Sequence, residues 1–165
     1  MWRLPLWTSG ITLAAMAGLT APAVRESLRN PAETRAWRRD LYVVQPRLVA
    51  RLLREGRRVV FVDAREAEEF AQAHLPTALS VPLRRVADMD LSACRDADLV
   101  IPYCLKDLRG FEAAKILRAR GLANVGLFEG FGLYSWEAAG LPLAGTWSGW
   151  SDAQALQELA ETGGP

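Results

Sequence analysis

Leu99-Val100-Ile101-Pro102-Tyr103-Cys104-Leu105-Lys106-Asp107-Leu108-Arg109 contains the change of pattern that decides the fold of this chain. Its first five residues form an apolar run, as expected of a strand buried on both faces of a parallel sheet. From Arg109 to Arg120 the spacing becomes helical, with Phe111, Ala114, Leu117 and also Ile116 expected to face inward. Gly121 ends that helix. Between strand and helix lies a turn that opens on a cysteine and closes on an arginine. Ligands of open α/β sheets bind beyond the carboxyl ends of the strands, so chemistry is expected in this turn.

The same alternation extends to both sides. Leu41–Val44 is a short β-prone run, and Pro46–Glu55 reads as a helix opened by Pro46 and ended by Gly56. Val59–Val62 is a second buried-strand run, followed at its carboxyl end by Asp63. A short helix is predicted over Glu66–Ala71 and a brief strand over Ala78–Val81. Further on, a strand is predicted over Val125–Phe128, a helix over Leu133–Ala139 and a terminal helix over Ser151–Glu161, with Asp152 at its start. Strands alternating with helices predict an α/β domain of three layers, a central parallel sheet flanked by helices. Trp147 and Trp150 are expected to pack the terminal helix onto the domain, or else to form a partner surface.

The chain has 165 residues, half of them hydrophobic and 24% charged, with a formal net charge of +1. That composition excludes a disordered chain and gives no electrostatic case for nucleic acid. Cys94, Cys104 and His74 are the only cysteines and histidine. They lack metal-ligand spacing, so no metal and no cofactor are expected. Cys94 sits in the polar stretch Ser92-Ala93-Cys94-Arg95-Asp96 and reads as an incidental residue of a turn. Two free thiols are favoured over a Cys94–Cys104 disulfide, which would need an oxidising compartment.

Residues 4–24 are mostly apolar, follow Arg3 and end near Ala21-Pro22-Ala23, a small-x-small pattern. Residues 1–24 are therefore expected to be a signal peptide or a membrane anchor. Residues 25–40, with five arginines, read as a linker, residues 41–145 as the domain, and residues 146–165 as a helical extension. A cleaved leader would release the domain into the periplasm. An anchor would hold it at the inner membrane, where the positive-inside rule pulls the arginines toward the cytoplasm. A cytoplasmic location is the alternative.

In the turn, Cys104 faces the start of a helix, whose unpaired N–H groups favour an anion such as a thiolate. Arg109 and Lys106 add positive charge suited to a bound anion. The surrounding segments resemble the rhodanese family. Val60-Phe61-Val62-Asp63-Ala64-Arg65 through Glu69-Phe70 is similar to its D-x-R-x-x-x-E-[FY] segment, and His74-Leu75-Pro76-Thr77-Ala78 to its G-H-I-P-G-A stretch. Tyr103-Cys104 with Arg109 is similar to its active-site loop. Gly130 to Trp136 with Gly140-Leu141-Pro142 is similar to its G-G-x-x-x-W and G-x-P signature.

The resemblance implies a sulfurtransferase. The six-residue loop from Cys104 to Arg109 matches the sulfur-transferring branch, whereas related phosphatases have one residue more to cradle a larger phosphate. Cys104 would be the nucleophile that carries sulfur as a persulfide. Leu105, Lys106, Asp107, Leu108 and Arg109 would bind the substrate, and Asp63, Arg65 and His74 would support the pocket, with Arg65 pairing charges such as Glu69. Partners would be a small sulfane-sulfur donor and a thiol or cyanide acceptor, including a protein acceptor, with membrane association through residues 4–24. Four positions depart from the family, among them Phe131, which falls where a glycine is expected if Trp136 sets the register. Asp107 stands where the loop often has glycine and sets negative charge against a thiosulfate donor. Ala73 and Thr77 replace glycines beside the histidine. A non-catalytic binding module and a thiol redox or stress sensor are the rival readings.

Overall fold

The computed structural model describes residues 41–106, 108–130 and 132–162. The leader, anchor and linker expected over residues 1–40, and the loop position Asp107, lie outside the described residues. Two apolar runs form the centre: β2 (Val59–Asp63) and β4 (Leu99–Tyr103) pair in parallel from Val59 opposite Leu99 to Asp63 opposite Tyr103. On the far side of β2 lies the two-residue β3 (Leu79–Ser80). Beyond β4, a single parallel bridge between Val100 and Val125 leads to β5 (Gly126–Phe128), which pairs with β1 (Tyr42–Val44). The strands run in the order β1-β5-β4-β2-β3, every pairing parallel.

Side chains alternate across a pleated strand, and here the alternation separates two cores. Val59, Phe61, Leu99, Ile101 and Tyr103 enter one, against Val49 and Ala50 of α1 (Pro46–Arg54), Leu133 and Trp136 of α5 (Gly132–Ala138), and Leu159 of α6 (Asp152–Glu161). Val62 and Val100 enter the other, against Phe111, Ala113, Ala114 and Leu117 of α4 (Leu108–Ala119). Each fully buried Val, Leu or Phe contributes roughly 1.5–3 kcal/mol over an exposed one, so both faces stabilise the sheet. This is the three-layer α/β arrangement read from the sequence. Phe61 meets Trp136 edge-on at 5.6 Å, and the indole Nε1 donates to the Pro142 carbonyl at 2.9 Å. No helix among the described residues is long and apolar enough to cross a membrane.

Three local readings are corrected. Cys94 lies on a short helix, α3 (Ser92–Arg95), and is wholly buried in the core on the α4 side. Its polar neighbours face out, which hid the turn-like stretch's one inward position. Trp147 does not hold the terminal helix. Trp147 is 72% exposed, while Ala155 and Leu159 of α6 are buried. The 144–150 segment instead runs over the end of α2 (Ala67–Gln72), where Thr146 and Trp147 N–H groups donate to the Ala71 and Gln72 carbonyls. Those bonds occupy the backbone and leave the Trp147 indole outward. The predicted pairing of Arg65 with Glu69 is replaced by a different pair, described below.

Thr77, one of the positions where the family resemblance expects glycine, has φ +63. For a β-branched residue the left-handed region is strained. Asp152, at the start of α6, accepts from the Thr77 N–H at 2.5 Å and so holds this turn from the opposite end of the chain. Thr77→Gly is therefore expected to stabilise the protein by about 1 kcal/mol, read as a higher urea midpoint. A lower midpoint would show that the threonine side chain contributes more than its backbone strain removes.

Candidate active site at the strand ends

The last rung of the β2–β4 ladder sets the site. Asp63 and Tyr103 are register partners, and the Ala64 N–H donates to the Tyr103 carbonyl at 2.8 Å, so the residues that leave the two strands start side by side. Asp63 is wholly buried. It accepts from the Arg65 main-chain N–H at 3.0 Å, from Nε at 2.9 Å and from Nη2 at 2.6 Å. Arg65 Nη2 also donates to the Ala73 carbonyl at 2.5 Å. Burial opposes the Arg65 charge, but the hydrogen bonds and charge of Asp63 outweigh it and raise the guanidinium pKa above its ordinary value. A buried ion pair of this kind persists because its polar atoms are satisfied. The Arg65 guanidinium lies 5.9 Å from the centroid of the Tyr103 ring, and the Tyr103 hydroxyl accepts from the Leu75 N–H at 3.1 Å. Desolvation pushes the Tyr103 hydroxyl far up, so it stays protonated.

Cys104 follows directly. It is 3% exposed. Its main chain is gripped from two sides. A Cβ on Gly110, in the first turn of α4, would lie 2.9 Å from the Tyr103 Cα and 3.2 Å from the Cys104 nitrogen. On Gly132, at φ +37, a Cβ would lie 2.0 Å from the Cys104 carbonyl oxygen. Only glycine permits that approach, and it lets the Leu133 N–H donate to the same oxygen at 2.8 Å.

Arg109, half-buried at the start of α4, is the charged group directed at the thiol. Its pKa is raised chiefly by the Glu69 hydrogen bonds, with a smaller influence from Cys104, whose negative form its charge favours. Its Nη1 and Nη2 donate to the two oxygens of Glu69 at 2.7 and 2.8 Å, a forked pair that fixes the plane of the guanidinium. Glu69 is held twice, since its carboxylate also accepts from the Glu66 N–H at 3.1 Å in the capping box of α2. The Arg109 hydrogen bonds, then that backbone bond, bring the Glu69 pKa down to about 2, against some opposition from burial.

The remaining predicted site residues are dispersed around this centre. Lys106 places its Nζ 5.7 Å from the ring centroid of Tyr134 on α5, a cation–π contact. Leu105 packs against the α1-side core, and Leu108 is 46% exposed. His74 stacks on Phe70 at 3.8 Å, shares a hydrogen bond between Nδ1 and the Phe70 carbonyl at 2.8 Å, and places Nε2 3.5 Å from Asp152. Those partners lie on α2 and α6, outside the cysteine loop. Sequence reasoning overlooked the role of Glu69 and the clamping glycines, Gly110 and Gly132. Glu69 stands in the D-x-R-x-x-x-E segment, but nothing in its spacing points to an arginine 40 positions away. The two cysteines are far apart. The Cys94 carbonyl lies near Asn124, before β5, whereas Cys104 follows β4. The length of β4, roughly 13 Å at 3.3 Å per residue, separates them, and a disulfide needs Cα atoms within about 7 Å. Both thiols are free. Among the described residues, no group of three or more His, Cys, Asp or Glu gathers to hold a metal.

Comparison with known proteins places this geometry. The rhodanese-like domain family matches residues 45–139. A sulfurtransferase of Allochromatium vinosum is 33% identical over 85 residues, covering 52% of this chain and 78% of that protein. An uncharacterized protein of Synechocystis is 36% identical over 94 residues, and there the match spans only 51% of the relative's length. The crystal structure of a thiosulfate sulfurtransferase from Pseudomonas aeruginosa superposes with a TM-score of 0.57 at 29% identity, over 64% of this chain and 20% of that one.

Glu69→Gln removes the charge that orients Arg109. The folded-state pKa of Glu69 lies below its usual value near 4.5, so its stabilising effect is present above that value and is lost as pH falls through about 2. Urea midpoints of the wild type should therefore exceed those of Glu69→Gln at pH 5–8, with the gap closing between about pH 4.5 and 2. A gap that does not change with pH would show that the carboxylate charge is not what stabilises the pair.

Proposed function

Because the chain belongs to the rhodanese-like domain family, we propose that it is a sulfurtransferase carrying sulfane sulfur on Cys104 from a donor to a thiol or cyanide acceptor. One observation supports this above others: a cysteine at the end of the central strand, its main chain clamped by Gly110 and Gly132, in a loop closed by an Arg109 guanidinium that Glu69 holds in a fork. Cys94 is the contrasting case. That thiol sits in an apolar core, and burial pushes its pKa up.

The reaction divides into two displacements. The Cys104 thiolate attacks the outer sulfur of the donor. A new S–S bond forms to Cys104, the donor's own bond to that sulfur breaks, and the remainder leaves with the electron pair, as sulfite if thiosulfate is the donor. An acceptor thiolate or cyanide then attacks the terminal sulfur of the persulfide, and the Cys104 thiolate departs. Arg109 balances the negative charge carried by the loop in both steps, aided by Lys106 and by the main-chain N–H groups of Leu105, Lys106 and Arg109. The 3% exposure of Cys104 shields the persulfide from adventitious reductants and restricts the site to donors whose terminal sulfur is slender. It also lends weight to the second reading, a binding module whose cysteine never meets a substrate. The distance between Cys94 and Cys104 weighs against a sensor that works by an internal disulfide.

Intact-mass measurement after incubation with thiosulfate or glutathione persulfide tests the proposal. The wild type should gain about 32 Da, and Cys104→Ser should gain nothing. Arg109→Lys keeps the charge but loses the fork, and its kcat/KM should fall by about 10–100-fold. A wild-type chain that acquires no sulfur from either donor is a binding module.

A further inference from the structure

Lys106, Leu108 and Tyr134 stand outward at the cysteine loop. Gly132 and Leu133 hold the Cys104 carbonyl, so the next residue of α5, Tyr134, starts beside the loop. Leu133 and Trp136 turn into the α1-side core, whereas Tyr134 is 43% exposed. Lys106 lays its ammonium 5.7 Å from the centroid of the Tyr134 ring. β4 lies behind Cys104 and α5 lies on its carbonyl, so a substrate meets the loop past these outward side chains.

The two cations of the loop are not equally available. Both Nη atoms of Arg109 are committed to Glu69, whose charge offsets what the guanidinium lends to a second anion. Among the described residues no carboxylate pairs with Lys106, whose ammonium faces an aromatic ring instead. The loop sequence also sets an aspartate, Asp107, between the two cations. Positive charge open to a ligand is therefore placed at the rim, next to an aromatic face, rather than over the sulfur.

We infer that Tyr134 is a specificity-determining residue for an organic persulfide donor, R–S–SH, whose R group carries a carboxylate several bonds from the sulfur. The inference rests on the sulfurtransferase reading and names the donor class. The carbon skeleton of R lies on the Tyr134 ring, and its carboxylate meets the Lys106 ammonium. The Cys104 thiolate attacks the outer sulfur, the donor's S–S bond breaks, and R–S⁻ departs with the electron pair, leaving Cys104–S–SH. Thiosulfate is a poorer match. Its charge is compact and adjacent to the sulfur that moves, where Glu69 already occupies the fork of Arg109, and it offers the ring nothing apolar.

The test times the gain of about 32 Da on Cys104 over a range of donor concentrations, with glutathione persulfide and thiosulfate as probes. Tyr134→Ala should lower the loading specificity constant for glutathione persulfide, relative to that for thiosulfate, by about tenfold. The loss should come through a higher half-saturating concentration and not a slower saturated rate. Tyr134→Phe keeps the ring and should keep the ratio. Glutathione persulfide with its carboxylates esterified should load the wild type about tenfold less well than the free acid. An unchanged ratio in Tyr134→Ala, whether both donors keep their rates or lose them together, overturns the inference. So does a ratio for Tyr134→Phe as low as that for Tyr134→Ala, or an ester that loads as well as the acid. In each of these cases sulfur still reaches Cys104 and the sulfurtransferase reading stands. A wild type that gains no sulfur from either donor overturns both.

Discussion

Asp63 lies opposite Tyr103 in the last rung of the β2–β4 ladder, and both side chains are buried. From that rung the two strands must diverge, one into a turn toward α2 and the other into the cysteine loop. Because the pairing is parallel and in register, both departures occur at the same height on the same end of the sheet. Asp63 turns its carboxylate onto Arg65 and fixes the first departure, while Gly110, Gly132 and the Leu133 N–H fix the second. A slip of one residue would exchange the two faces of the strand and move Phe61 out of the aromatic cluster that holds Trp136.

Two ion pairs on this end of the molecule do different work. Asp63 and Arg65 are buried at 0% and 4% exposure, two residues apart, and serve as a rigid floor. Glu69 and Arg109 are about one-third exposed, come from different helices, and tie α2 to the start of α4. The first pair is local and could be anticipated as a pair of charges near the strand end. The second closes a loop of 40 residues and fixes the guanidinium at the far end of the cysteine loop.

What the sequence revealed follows from how local each cause is. The apolar runs of β2 and β4 and the helical spacing of α4 depend on side chains within one element, and all three were legible. So was the family, because its motifs lie in order along the chain. Partners that meet only in space were not: Arg65 was assigned to Glu69, while the nearer, more rigid Asp63 took it. Cys94 looked like a turn residue because its neighbours are polar, although one face of a single helical turn suffices to bury it. Trp147 looked like packing material because of its size, but main-chain bonds to α2 determine where its segment lies. Gly132 was visible as a glycine, but its contact with the Cys104 carbonyl is a property of the folded chain alone.

The sheet has one seam. β4 and β5 meet through the single bridge of Val100 with Val125, whereas β2 and β4 share five consecutive partners. Mechanically the sheet is two plates, β1-β5 and β3-β2-β4, hinged on one rung. β1, where the described residues begin, lies in the outer plate, and the cysteine loop hangs from the inner one. A force applied at β1 would be relieved at the seam before it reached β4, so the cysteine loop is mechanically insulated from that edge of the sheet.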